Sequence, residues 1–219
     1  MANELKVQKK VYLVRHGQSG LNVQPVFQGA GGQLSEIGRA QAQAVASRVE
    51  KLQFETIISS PYARAVETAN LIGDSTGRPV EYCDYFSEMG LPSALSEKSY
   101  KDEDAYELFL KWKNSVTHEL PPVEDGETFE SITTRTVKAL EFLEQRAEQT
   151  IVVVTHGYFI RCLIAEVLFG DKITGPLLRD VIEGLKTDNT GITLLTHGMK
   201  PSGETGWRMR IFNDHAHLG

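Results

Sequence analysis

Two short β-branched runs, residues 11–14 (Val-Tyr-Leu-Val) and 152–154 (Val-Val-Val), each lead within two residues to a histidine–glycine pair. The first passes through Arg15 to His16-Gly17, the second through Thr155 to His156-Gly157. An apolar run of this length that stops at a polar residue and a glycine reads as a buried parallel strand whose last residue emerges at its carboxyl end. In open α/β sheets ligands sit just outside those ends. Two imidazoles delivered in the same way are therefore expected to meet at one edge of one sheet, with Arg15 beside the first.

The 219 residues suffice for one α/β domain with a full core and an insertion. A hydrophobic fraction of 41% and a charged fraction of 24% are ordinary for a globular chain, so the sign of the net charge carries the argument. At −6 it disfavours nucleic acid or an acidic membrane surface as a partner, and any anion site must be a local basic cluster in an acidic body. Cys83 and Cys162 are too few for a disulfide scaffold, lack metal-ligand spacing and are expected as buried thiols. Residues 1–10 do not resemble a secretory signal, and no run approaches the roughly 18 apolar residues of a spanning helix. A cytoplasmic protein is expected, as a monomer or a homodimer.

Residues 17–32, with Gly29, Gly31 and Gly32, read as a loop of the kind on which sites are built. Ser35 is placed to cap a helix whose apolar stripe is Ile37, Ala40, Ala44, Val45, Val49 and Leu52. Residues 56–59 suit a second strand. Ser60-Pro61 then open a helix with a capping hydroxyl and a proline at its first position, which puts Arg64 in the opening turn. Residues 79–83 suit a third strand. Residues 84–126 mix apolar and charged side chains and close on Pro121-Pro122, so they are expected as an inserted cap of short helices on a single domain spanning 1–219. Phe129, Ile132, Thr136, Leu140, Leu143 and Ala147 then mark a long amphipathic helix. A fourth strand, an apolar helix over 160–169 and a pair of strands at 191–196 and 207–212 complete the chain.

A neutral imidazole is a competent nucleophile, and phosphoryl transfer requires mainly positioning and positive charge around the equatorial oxygens. Arg15, Arg64 and His156 are the candidates to supply that charge, and Arg64 adds the N–H donors and dipole of a helix N-terminus. Arginine suits the task because its planar fork bonds two phosphate oxygens at once. The same arginines disfavour protonation of His16. Taken singly, each feature has a bland reading: an Arg-His-Gly after a strand occurs by chance, and a lone buried histidine is more often a satisfied core residue. Their coincidence carries the argument.

The segments Val-Arg-His-Gly-Gln-Ser at 14–19, Leu-Ser-Glu-Ile-Gly-Arg-Ala-Gln-Ala at 34–42, Ser-Ser-Pro-Tyr-Ala-Arg-Ala at 59–65, Gly-Glu-Thr at 126–128, Val-Thr-His-Gly at 154–157 and Phe-Asn-Asp-His-Ala-His-Leu at 212–218 resemble the histidine phosphatase superfamily in its phosphoglycerate-mutase-like branch. The resemblance runs along almost the whole chain. It implies an α/β fold, a three-layer α/β/α sandwich with a mostly parallel central sheet flanked by helices. It implies that His16 becomes phosphohistidine while Arg15, Arg64 and His156 hold the phosphoryl group. Asn22 matches a loop asparagine that contacts phosphate, Gln28 and Gly29 match the position that closes over substrate, and Gly157 completes the binding set. Glu88 matches the acid that protonates the leaving oxygen and then takes a proton from the hydrolytic water. The family uses no metal and no cofactor is implied.

After Glu88 the chain departs from true mutases, with Met89-Gly90-Leu91-Pro92-Ser93 in place of a glycine-rich segment and Lys113-Asn114 after Trp112 in place of paired arginines. The expectation is a metal-independent phosphatase acting on a small phosphorylated metabolite. A phosphoglycerate mutase and a non-catalytic phosphate- or phosphoprotein-binding module stay open. Thr196-His197-Gly198 repeats the Thr-His-Gly signature but is expected as a surface turn. His215 and His217 have metal-pair spacing without a third ligand nearby and are read as structural, and His118 as exposed. Arg39 and Arg161 could reach the site or pair with a carboxylate, and Glu127 could bond the cap or support an arginine.

Overall fold

The computed structural model describes residues 7–219, apart from the side chains of residues 22 and 23. Strands β1 (Val7–Arg15), β2 (Thr56–Ser59), β3 (Val80–Tyr82), β4 (Thr150–Thr155), β5 (Ile192–Met199) and β6 (Thr205–Asp214) form one sheet in the order β3-β2-β4-β1-β5-β6. The pairs β3/β2, β2/β4 and β4/β1 are parallel, whereas β5 is antiparallel to both β1 and β6. The helices are α1 (Glu36–Val49), α2 (Ala63–Thr76), α3 (Glu103–Thr117), α4 (Phe129–Gln145), α5 (Gly157–Phe169) and α6 (Gly175–Gly184).

Side chains alternate across a strand, and both faces of this sheet are covered. Val11, Leu13, Ile58, Ile151 and Val153 pack with Leu140 of α4, Leu163 of α5 and Leu178 of α6. Their neighbours Val14, Ile57, Val152 and Val154 pack on the opposite face with Val49 of α1 and Ile72 of α2. This is a three-layer α/β/α sandwich. Burial of each such side chain contributes roughly 1.5–3 kcal/mol, so strands apolar on both sides take the centre of the sheet and the short β3 takes its edge.

The buried face of α1 is Gly38, Ala42, Val45, Ala46 and Val49, while Ile37 is 61% exposed and Ala40 is exposed, so the expected stripe is rotated. A close backbone approach explains the rotation. A Cβ on Gly38 would lie 1.9 Å from the Gln18 carbonyl oxygen, and one on Gly17 would lie 2.4 Å from that of Gly38. Only a glycine pair lets α1 rest on the turn that follows β1. Ser35 caps α1, its side chain accepting from Gly38 N.

Other elements differ from the sequence reading. The helix bearing Arg64 starts at Ala63 behind Tyr62 without a side-chain cap, and the Ser60 hydroxyl accepts from Tyr62 N, one residue ahead of the helix. Residues 84–126 hold one 15-residue helix, α3, preceded by single turns at Asp84–Phe86 and Ser93–Leu95, in place of several short helices. α4 stops at Gln145, short of Ala147, and α6 answers to no expected element. His197 lies buried inside β5 with its ring 5.0 Å from that of Trp207; the real turn falls later, between Met199 and Thr205. His118 is exposed. Cys83 is only half-buried, whereas Cys162 is buried and its thiol is pushed up to about 12 by desolvation.

A third, smaller core joins Phe27 to Leu95 and Ala105. Phe27 N donates to Lys98 O at 2.9 Å and Glu97 N donates to Phe27 O at 2.9 Å, so the glycine-rich loop is tied to residues 84–126. No helix among the described residues is long and apolar enough to cross a membrane.

Candidate active site

Parallel register aligns the strand ends. Arg15 stands opposite Thr155 and Ser59 opposite Val154, so the residues that leave the sheet next, His16, His156 and Ser60, emerge side by side. The rings of His16 and His156 lie 5.0 Å apart between centroids, and both are buried.

His16 Nδ1 donates to its neighbour Gly17 O at 2.7 Å, which leaves the lone pair on Nε2. Nε2 accepts from Arg64 Nε at 3.1 Å. Arg64 is held from both ends: its Nη1 donates to Gly29 O at 2.8 Å, and its own carbonyl accepts from Thr68 Oγ1 at 2.8 Å. Thr68 Oγ1 also accepts from Gly17 N at 3.1 Å, tying α2 to the turn after β1. On the other side, Ser60 Oγ accepts from Tyr62 N at 3.2 Å and shares a hydrogen bond of 2.8 Å with His156 Nε2. His156 Nδ1 is buried and has no hydrogen-bond partner among the described residues. Arg15 donates from Nη1 to Thr187 O at 2.6 Å, and its Nε is likewise buried with no hydrogen-bond partner among the described residues. Buried polar atoms without partners are few in native proteins, and two such nitrogens among the residues around His16 suit an anion.

Burial, then Arg64 and Arg15, hold His16 well below its ordinary pKa of 6.5 against the opposing Gly17 carbonyl. Burial comes first for His156 as well, followed by His16 and the same guanidinium groups. Arg15 and Arg64 are lowered from 12.5 mainly by desolvation and stay charged.

Glu88 follows the single turn at Asp84–Phe86. Its Oε1 accepts from Met89 N at 2.9 Å and Phe159 N at 3.0 Å, and its Oε2 accepts from Tyr158 N at 3.3 Å. Two of those donors belong to the first turn of α5, which starts at Gly157, ahead of the helix expected over 160–169. Behind Glu88, Arg135 of α4 forks onto Glu127 at 2.8 and 2.7 Å and donates to Tyr85 O at 3.0 Å and Ser87 O at 2.8 Å. Glu127 Oε2 accepts from Gly90 N at 2.7 Å. Glu127 thus does both things foreseen for it, and Arg135 was not foreseen. Its only sequence signal is its place eight residues beyond Glu127 on the same helical region.

These groups open onto a cavity of about 800 Å³. Arg15, His16, Arg64 and Glu88 line one end, and Phe27, Leu91, Phe109 and Trp112 form an apolar wall. His156 is fully covered, its ring 5.0 Å from that of His16, which lines the cavity, and 5.1 Å from that of Tyr62. Gln28 lines the cavity and accepts from the Ser19 hydroxyl at 3.0 Å, whereas Gly29 reaches the site through Arg64. A Cβ on Gly157 would lie 2.7 Å from Thr187 Oγ1 and 3.2 Å from Arg15 Nε, so glycine there permits their approach. The side chain of Asn22 lies outside the described residues. Arg39 is exposed and pairs with Glu67, whereas Arg161 lines the cavity. Among the described residues no group of three or more His, Cys, Asp or Glu is placed to hold a metal ion.

The family model of the histidine phosphatase superfamily (branch 1) matches residues 11–213. The chain belongs to the histidine phosphatase superfamily. This histidine phosphatase is 31% identical over 84% of its length to a Hydrogenobacter thermophilus protein named "Putative phosphoserine phosphatase 2", covering 88% of that protein. It is 27% identical to an Enterobacter protein named "Probable phosphoglycerate mutase GpmB", over 95% of this chain and 94% of the other. Among solved structures it is similar to mycobacterial glucosyl-3-phosphoglycerate phosphatase in complex with inorganic phosphate. There the TM-score is 0.76 at 26% identity, covering 96% of this chain and 100% of the other. Its phosphatase relatives place this histidine phosphatase with the phosphoric monoester hydrolases.

Proposed function

We propose that the protein hydrolyses phosphomonoesters of small metabolites without a metal, through a phosphohistidine on His16. The observation that carries this reading is the tautomer of His16: Nδ1 donates to a backbone carbonyl, and Nε2 presents its lone pair beside Arg64. In the first step Nε2 bonds to phosphorus as the bond from phosphorus to the leaving oxygen breaks, and Glu88 delivers a proton to that oxygen. Oε2 is the oxygen for this transfer, since Oε1 is held by two N–H groups and Oε2 by one longer contact. In the second step water attacks the phosphohistidine, Glu88 takes its proton, and phosphate leaves with Nε2 restored.

Arg15, Arg64 and His156 are the charge and donors for the equatorial oxygens, set in place before reaction. Gln28, Gly29 and Gly157 shape the entry, Asn22 is assigned to phosphate by the family resemblance, and the segment 84–126 acts as the cap that selects the leaving group. Phe27, Leu91, Phe109 and Trp112 give the cavity an apolar wall, and Lys113, which also lines it, is paired with Glu183 at 2.8 Å. That wall supports hydrolysis over mutase chemistry, which needs an intermediate retained for a second transfer.

His16→Ala is expected to abolish turnover of p-nitrophenyl phosphate, and wild-type protein quenched during turnover is expected to carry an acid-labile phosphoryl group on His16 by mass spectrometry. Chelation by EDTA is expected to leave the rate unchanged. Turnover that survives in the alanine variant excludes the mechanism.

A further inference from the structure

We propose that Arg161 is a second anion receptor, which selects phosphomonoesters whose leaving group carries a carboxylate a few bonds from the phosphate. The proposal rests on the phosphatase reading and names the substrate class of the same cavity. Five further cations line that cavity. Three have carboxylate partners: Lys113 with Glu183 at 2.8 Å, Arg179 with Asp180 at 2.9 Å and Lys186 with Asp188 at 2.8 Å. Arg15 and Arg64 serve the phosphoryl end. Arg161 has no ion-pair partner among the described residues.

Arg161 is instead held by neutral oxygens. Its Nε donates to Gly157 O at 3.0 Å, and its Nη1 donates to Ile182 O at 2.5 Å and Leu185 O at 3.2 Å. Its guanidinium lies 4.3 Å from the centroid of the Tyr158 ring. Ile182 and Leu185 bracket the carboxyl end of α6, where the helix dipole favours a cation. Carbonyls and a ring orient the group but leave its charge uncancelled, and Nη2 has no hydrogen-bond partner among the described residues. A guanidinium fixed in this way loses little freedom when it binds a carboxylate.

Its position fits the same ligand. Gly157, to which Arg161 is bonded, packs against Arg15, and Arg161 is one of the charges felt at the Arg15 guanidinium. The carboxylates that also face the cavity are Glu88, bound to backbone N–H groups, and Glu183, bound to Lys113; neither pairs with Arg161.

Calorimetric titration of the full chain with phosphonoacetate, 3-phosphonopropanoate and 4-phosphonobutanoate, each against the alkylphosphonate of equal carbon number, tests the proposal without requiring turnover. At one spacer length the carboxylated ligand is expected to bind roughly 10-fold or more tightly than its alkyl counterpart. Arg161→Met is expected to erase that ratio. Equal affinity within every pair, or a ratio that persists in the variant, overturns the proposal. If Arg161→Met no longer binds even the alkylphosphonates, Arg161→Gln, which keeps donors for the carbonyls and removes the charge, takes its place with the same outcomes. Failure of the phosphatase reading shows separately, as undiminished p-nitrophenyl phosphate hydrolysis in His16→Ala.

Discussion

Desolvation, reinforced by Arg64 and Arg15, keeps the His16 imidazole neutral at pH values where a free histidine is half protonated, and His156 behaves alike. In the unfolded chain both return to about 6.5. Above that value neither state takes up a proton at these positions. As the pH falls through 6.5 toward the lower folded values, the unfolded chain binds protons that the folded chain refuses, so both histidines subtract stability on the acid side. Imidazole NMR is expected to show no titration midpoint near 6.5 for either ring, and a midpoint at or above 6.5 would contradict the geometry. Arg135 makes a second case. It bonds two segments around Glu88, Glu127 and residues 85–87, through a planar fork that lysine does not reproduce. Arg135→Lys is expected to lower kcat on p-nitrophenyl phosphate by about 10- to 100-fold while KM changes little, because the acid is displaced and the phosphoryl end is intact. A KM effect that equals or exceeds the kcat effect argues for a purely structural role.

The way α1 docks shows how an element can be aimed by two residues. Gly17 and Gly38 bring the helix onto the turn carrying His16, and Thr68 in α2 accepts a hydrogen bond from the same turn. Gly38→Ala is expected to destabilise the protein by about 1–3 kcal/mol in urea unfolding, since its new methyl meets rigid backbone that cannot move aside as a side chain could. An unchanged midpoint would show that the contact relaxes freely. Apolar periodicity could not foresee this, because it ranked Ile37 above Gly38 as a core residue. The same limit hid the true start of α5. Its first turn, residues 157–160, aims the backbone N–H groups of Tyr158 and Phe159 at the Glu88 carboxylate, and backbone donors leave no mark in a hydrophobic pattern.

Across the molecule, the last strand reaches the site through the segment 187–190. Asn213 in β6 accepts from Asp188 N at 2.8 Å and donates to Asp188 Oδ2 at 2.7 Å. Beside Asp188, Thr187 O receives Arg15, Asn189 Nδ2 donates to His16 O at 2.9 Å, and Thr190 N donates to Arg15 O at 3.0 Å. Asn213 itself sits at φ +51°, a left-handed conformation that asparagine tolerates better than leucine. Asn213→Leu is expected to cost about 1–3 kcal/mol through the unpaired Asp188 N–H and to lower kcat/KM roughly 10-fold although the residue touches no substrate. Full activity in a normally folded variant would uncouple the C-terminal strand from the site. Local chemistry legible in the chain determined the strands, the order of elements and the outward delivery of His16 and His156, because runs of valine and isoleucine and the turn residues after them act over a few positions. The tertiary structure alone decided that Ser60 orients His156, that Arg135 and Glu127 brace Glu88, and that Arg161 stands without a carboxylate partner among the described residues. Those are contacts between segments far apart along the chain, and no short-range pattern carries the register that brings them within hydrogen-bond reach.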